Sequence, residues 1–303
     1  MKRQLTLLVG VGVILALIGV LSVWFVNSSE RNHTDLPPAT SDEQYSFFVA
    51  GHTYGVPSVD NEGVHPPFKP WFTKINSQDL DFGVFTGDIV IRGTPANWDE
   101  IDAELTQLTP PVHFTVGNHD LSDRKLFASR YGPTYYSYEH KGDLFVFLDG
   151  ERDPCNIGGE QLMFLQDALA DTDARNVFIF VHKLIWVAEG TPYYKLRRGL
   201  NTKEGYNFQN NFWVDVAPLL RNLKANVYVV AGDVGVTWAM PLFYEQDGNI
   251  HFVASGMGGT EEENYLTFHA GADGVHIEVQ RLDGEPLSLG SIEAYDLAHY
   301  SGE

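Results

Sequence analysis

An α/β fold is predicted by two features of this 303-residue sequence: short, almost uninterrupted apolar runs, and helix-patterned segments between them. A third feature, an uncharged stretch near the start, predicts one transmembrane helix ahead of that fold. The runs are Ser46–Ala50, Phe82–Thr86, Val112–Val116, Leu144–Leu148, Val177–Val181 and Val227–Ala231. Runs of this kind suit strands covered on both faces, where neither side must meet water. Helical patterning falls at 97–107, 123–130, 159–170 and 211–222. Closely spaced runs at 242–246, 250–255, 264–269 and 275–281 read as added antiparallel strands.

Composition narrows the function. Hydrophobic residues at 44% and charged residues at 20% are globular values and exclude a disordered or collagenous chain. The single cysteine, Cys155, excludes an intramolecular disulfide and a cysteine-cage zinc or iron–sulfur site. Forty acidic against twenty basic residues give a net charge of −20. Such a chain repels nucleic acid, so no nucleic-acid partner is expected. A phosphate-bearing substrate would need a local cation to hold it.

Leu5 to Val26 carries no charge. Its 22 residues, at about 1.5 Å each, span roughly 33 Å, enough for a hydrocarbon core of about 30 Å. A cleaved signal peptide has a shorter apolar region and a small-residue exit, which Val26-Asn27-Ser28 supplies poorly. The expected organisation is a cytoplasmic N-terminus at 1–4, a signal-anchor at 5–26 and a polar tether at 27–44. A folded domain at 45–282 and a short C-terminal tail at 283–303 follow. Lys2 and Arg3 ahead of the span place the domain outside the inner membrane, on the periplasmic or extracellular side. The lipid bilayer is thus an expected partner.

Polar residues gather where the apolar runs stop. The runs lead into Gly51-His52-Thr53-Tyr54, Gly87-Asp88, Gly117-Asn118-His119-Asp120, His182 and Gly232-Asp233-Val234-Gly235. Ligands of α/β sheets bind beyond the carboxyl ends of strands, so these side chains can converge on a cation.

In this order along one chain, the pattern resembles the calcineurin-like metallophosphoesterase family over roughly 45–280. That family carries D-x-H, GD, GNH(D/E), a lone His and GHxH, each after a strand. Gly87-Asp88 and Gly117-Asn118-His119-Asp120 match outright, and His182 follows an apolar run as the lone His does. The resemblance implies a two-sheet α/β sandwich flanked by helices, with a two-metal cleft. Asp88 would bridge the ions, and Asn118 and His182 would hold the second. His119, oriented by Asp88 or Asp120, would serve the leaving group. The implied reaction is hydrolysis of a phosphate mono- or diester by a metal-bound hydroxide.

Two motifs depart from the family. His52-Thr53-Tyr54 stands where D-x-H is expected, and Gly232-Asp233-Val234-Gly235 where GHxH is expected. One site would then comprise Asp88, Asn118, His182 and Asp233, suited to divalent Mn, Fe, Zn or Mg. The other would keep His52, Tyr54 and Asp88, so one or two ions per chain are expected. One carboxylate is lost and one gained, which reads as altered metal preference. The alternative is a metal- or glycan-binding pseudoenzyme on the same fold, acting in surface polysaccharide assembly. Lys195, Arg197 and Arg198, three cations within four residues of an acidic chain, are candidates to clamp an anionic substrate. That substrate would be a phosphate-bearing small molecule, or a glycan or lipid head group. His65, His251, His269 and His276 read as structural.

Overall fold

The structure, a computed structural model, describes residues 44–302 apart from 60, 202 and 204. The expected span at 5–26 and nearly all of the tether lie outside the described residues. Among the described residues no helix is long and apolar enough to cross a membrane.

Among the described residues, eleven strands form two mixed sheets. The first has the order β11 (Gly274–Arg281), β10 (Asn264–Gly271), β1 (Tyr45–Ala50), β2 (Phe82–Thr86), β3 (Val112–Thr115). The second has the order β4 (Tyr136–His140), β5 (Asp143–Phe147), β6 (Asn176–Val181), β7 (Asn226–Ala231), β9 (Ile250–Ser255), β8 (Leu242–Asp247). The runs expected as buried strands pair in parallel in each centre, β1–β2–β3 and β5–β6–β7. The later strands add antiparallel pairs at β10–β11 and β8–β9.

Why the central strands are apolar throughout follows from their two faces. Along β1, Tyr45, Phe47 and Val49 point between the sheets, while Phe48 and Ala50 point outward. Along β6, Phe178 and Phe180 point inward and Val177, Ile179 and Val181 outward. The inter-sheet layer is aromatic. Phe47 stacks on Phe82 and on Phe268, each at 4.9 Å, and meets Phe145 edge-on at 5.5 Å. Removing such a buried ring costs about 3–5 kcal/mol.

Helices cover the outer faces. α1 (Trp71–Ser77), α2 (Pro95–Leu105) and α3 (Arg124–Tyr131) place Phe72, Ile101 and Phe127 against the first sheet. α4 (Gly159–Leu169) and α5 (Ala217–Arg221) place Leu165 and Leu220 against the second. The helix expected over 211–222 is instead a π-type turn, Phe212–Val216, running into α5, with Pro218 in the first turn of the latter. Proline carries no N–H to continue the upstream ladder. The described part of the expected tail, 283–302, packs onto the domain. Ile292 and Tyr295 are buried in the inter-sheet core, and α6 (Leu297–Ser301) presents Tyr300, whose hydroxyl donates to the Leu242 carbonyl at 2.6 Å.

Candidate metal centre

The parallel strands of both sheets end at one edge, and the backbone there is strained. Just past β2, Gly87 (φ 84°) and Asp88 (φ 52°) are left-handed; just past β1, so is His52 (φ 54°). Gly87 admits no side chain, since a Cβ would lie 2.6 Å from His182 Nδ1. For a non-glycine residue this conformation costs about 1–3 kcal/mol and persists only where neighbours enforce it. Here they do. The Asp88 carbonyl accepts from the Tyr54 N–H at 3.2 Å, and the His52 N–H donates to the Gly87 carbonyl at 3.2 Å. Asp88 Oδ1 accepts from the His119 N–H at 3.1 Å.

Asp88, His182 and Asp233 are buried together, with one ligating atom of each within 4.8 Å of the other two. His182 Nε2 lies 3.4 Å from Asp88 Oδ1 and 3.8 Å from Asp233 Oδ1. Its Nδ1 donates to the Thr86 carbonyl at 2.9 Å, so Nε2 carries the lone pair of the neutral ring. Among the described residues, neither His182 Nε2 nor Asp233 Oδ2 has a partner in good hydrogen-bond geometry, although both are buried. An unsatisfied buried polar atom costs about 1–3 kcal/mol. A cation among them would satisfy both. One imidazole nitrogen and two carboxylates fit a divalent ion of the Mn, Fe, Zn or Mg kind.

Protonation reports the same demand for positive charge. Burial presses His182 toward neutrality, but Asp88 and Asp233 outweigh it and lift its pKa to about 10. Burial also disfavours the Asp88 charge, yet His182, His52 and His119 hold its carboxyl far below the usual range. The two carboxylates thus favour positive charge at His182.

On the far side of Asp88, His52 Nε2 stands 3.6 Å from Oδ2, its Nδ1 donating to the Met257 carbonyl at 2.8 Å. Tyr54 is buried between two imidazoles, its ring 4.3 Å from His52 and 4.8 Å from His119. Its hydroxyl meets His119 Nε2 at 3.4 Å. Burial, then the charges of Asp88 and Asp233, raise its pKa well above the ordinary phenol value. The Tyr54 hydroxyl, expected as an oxygen ligand, thus lies against the His119 ring. Gly235 (φ 92°) adds nothing here, and nothing could be added. A Cβ would overlap the Gly256 carbonyl carbon and lie 2.5 Å from the Met257 nitrogen.

The remaining candidates divide. His119 Nδ1 donates to the Ile91 carbonyl at 2.8 Å, aiming Nε2 at Tyr54. Asp120, expected to orient His119 or act in catalysis, turns its carboxylate to backbone N–H groups rather than to the His119 ring. Its Oδ1 accepts from the N–H groups of Ile89 and Val90 at 2.8 and 3.1 Å, and its Oδ2 from Gly117 at 2.8 Å. It ties the β3 loop to the β2 loop. Burial, then the Asp88 charge, push its pKa up to about 7 against the pull of those N–H groups. Asn118 is exposed on the same loop, not within the buried trio. Arg197 is folded onto its own turn, its guanidinium 4.2 Å over the Tyr194 ring and donating to the Tyr194 carbonyl at 2.9 Å. Lys195 and Arg198 are exposed beside it. His65 pairs with Glu263 at 2.8 Å, and Glu263 also accepts from Gly258 N–H at 2.8 Å, bracing the loop that holds His52.

Sequence reasoning missed Lys183, Glu151 and Tyr206. Lys183 Nζ donates to Glu151 Oε2 at 2.7 Å and to the Gly205 carbonyl at 2.8 Å, in the residue directly after His182. The Tyr206 hydroxyl accepts from the Leu184 N–H at 3.3 Å; burial, then the Asp233 charge, raise its pKa. The available signal was a lysine inside the apolar stretch Val177–Trp186, which demands a buried counter-charge.

A family profile described as calcineurin-like phosphoesterase matches residues 39–234, more than half of the chain. The chain belongs to the calcineurin-like phosphoesterase family. Its fold is similar to the solved structure of PhoD, with a TM-score of 0.51 at 10% identity over 82% of this chain and 72% of that one. A Streptococcus pneumoniae protein described as a predicted phosphoesterase aligns at 11% identity and a TM-score of 0.39, over 81% of this chain and 94% of that one. A sequence search among curated proteins finds no match.

Proposed function

We propose that this chain hydrolyses a phosphate ester at the Asp88–His182–Asp233 centre, using one divalent ion per chain. The carrying observation is the pair of orphaned atoms, His182 Nε2 and Asp233 Oδ2, buried beside Asp88. When bound, the ion supplies Lewis-acid polarisation of a phosphoryl oxygen and neutralises developing charge. The chain's own residues do the rest. The Thr86 carbonyl keeps the His182 lone pair at Nε2, and Asp88, locked by the backbone on both flanks, keeps its carboxylate beside it. The Ile91 carbonyl fixes Nδ1 of His119 as an N–H, so Nε2 is the ring atom that can pass a proton to the departing oxygen. Tyr54 holds that ring in place.

The test is metal analysis of the purified protein, paired with a panel of phosphate monoesters and diesters. One equivalent of ion with turnover is expected. Ion retained without turnover on any ester would favour the binding-protein reading, and no ion at all would overturn both.

We also propose that residues 5–26 anchor this domain to the inner membrane, facing the periplasm or exterior. The support is the uncharged run behind Lys2-Arg3. Carbonate-resistant membrane association, with the domain open to protease from outside, is expected. A mature N-terminus near Ser29 would show cleavage instead.

A further inference from the structure

Directly after Asp233, the loop Gly235–Met240 is closed on itself. The Gly235 N–H donates to the Met240 carbonyl at 2.9 Å, and the Ala239 N–H to the Val236 carbonyl at 2.6 Å. In a chain of net charge −20 this loop, Gly-Val-Thr-Trp-Ala-Met, carries no charge. Trp238 at its tip is 64% exposed. Tryptophan is enriched at contact surfaces because its large ring joins an apolar face to one polar atom.

The ring is held rather than loose. Trp238 Nε1 donates to the Asn201 carbonyl at 2.9 Å. Asn201 is buried and locked to the same loop, donating to the Val234 carbonyl at 3.2 Å and accepting from the Val236 N–H at 3.1 Å. On the opposite side the Thr237 N–H donates to the Gly258 carbonyl at 3.1 Å, and Val236 pairs with Gly259. Met257, next to Gly258, orients His52. The loop is thus stitched both to the strand end bearing Asp233 and to the segment that aims His52. Trp238 lies five positions after Asp233, an extended reach of at most about 18 Å that the closed turn shortens. A fixed aromatic face with its one polar atom already bonded has only its π surface to offer.

We propose that Trp238 is a stacking platform for an aromatic ring in the organic part of the phosphoester. It selects ring-bearing phosphates, such as nucleoside phosphates, over short alkyl phosphates; this rests on the phosphoesterase reading above. Base–aromatic stacking is worth about 1–3 kcal/mol, or about 5- to 150-fold in affinity.

The experiment is equilibrium binding of adenosine 5′-monophosphate and of glycerol phosphate to the Mn²⁺-loaded full chain, by calorimetry and tryptophan fluorescence. Wild type, Trp238→Ala and Trp238→Phe are compared, with metal content and thermal unfolding as controls. Wild type should prefer the nucleotide. Trp238→Ala should collapse the ratio of the two affinities by about 5- to 150-fold. Trp238→Phe, which keeps a stacking face, should retain most of it and serves if the alanine variant fails to fold. A ratio unchanged in Trp238→Ala, or an equal loss for both ligands, overturns the platform. If both esters are bound and hydrolysed with that unchanged ratio, the platform falls alone. If metal-loaded protein binds neither monoester, the platform is overturned, and the phosphoesterase reading is decided by the ester panel above.

Discussion

On its Oδ1 side Asp88 faces His182 at 3.4 Å, with Asp233 beyond; on its Oδ2 side it faces His52 alone, at 3.6 Å. Two neighbouring strands of the second sheet, β6 and β7, end on the first side and deliver a nitrogen and a carboxylate. The other side is served by β1, whose Tyr54 turns its hydroxyl to His119, and by Gly235, whose backbone lies against Gly256–Met257. The contrast teaches that the two departures from the family pattern are not equivalent. On the proposed reading Asp233 completes one face as a cation site, while the other face is packed by Tyr54 against His119 and by Gly235 against Gly256.

The largest test of that asymmetry is Asp88→Asn, which removes the charge both faces share. Even a hydrogen-bonding partner of a ligand is worth about 10- to 100-fold in metal affinity, so a ligand carboxylate should exceed about 100-fold. Titration with Mn²⁺ reads it directly. Undiminished stoichiometry and affinity would remove Asp88 from the site. Next, His119→Ala should retain the ion while turnover falls by about 10²–10⁴. Parallel loss of metal would instead place His119 among the ligands.

Gly235→His restores the family residue and asks whether the second face can be rebuilt. It should not be. The φ of 92° and the overlap with Gly256 should destabilise the fold by about 1–3 kcal/mol or more, with ion stoichiometry still at one. A second equivalent of metal in that variant would show the packed face to be an unfinished site. A last test concerns pH. His182 is raised from 6.5 to about 10 in the metal-free fold, so its proton stabilises the fold fully below pH 6.5. That contribution is lost as pH climbs through the raised value. Metal-free protein should melt lower between pH 7 and 10, at about 2–4 °C per kcal/mol. His182→Gln should flatten the slope, and ion loading should do the same. A flat slope in metal-free wild type would deny the proton its place.

Several elements were legible and others were not, for local reasons. β1, β2, β5, β6 and β7 declared themselves because burial on both faces leaves no room for polar alternation. β4 did not: it is an edge strand whose residues are half-buried or exposed, and its Tyr-Ser-Tyr-Glu-His has no apolar run. α1 and α6, at seven and five residues, are too short to show a period. Asp120 was misplaced because adjacency to His119 says nothing of direction. Its carboxylate turns back to Ile89 and Val90, 31 and 30 residues away in sequence. Arg197 looked available for an anion because the sequence does not show Tyr194 lying beneath it.

The order of the strands and the identity of the residues at their ends were written locally, since burial and turn formation act on neighbours in the chain. Asp88, His182 and Asp233 could be named on that basis, as could the family they signal. Which face of Asp88 would be complete could not. That depends on carbonyls of Thr86, Ile91 and Met257 setting the tautomers of His182, His119 and His52, which lie 96, 28 and 205 residues away. It depends equally on Gly235 closing against Gly256. Contacts of that range exist only once two sheets have met along one edge, and no local preference encodes their geometry.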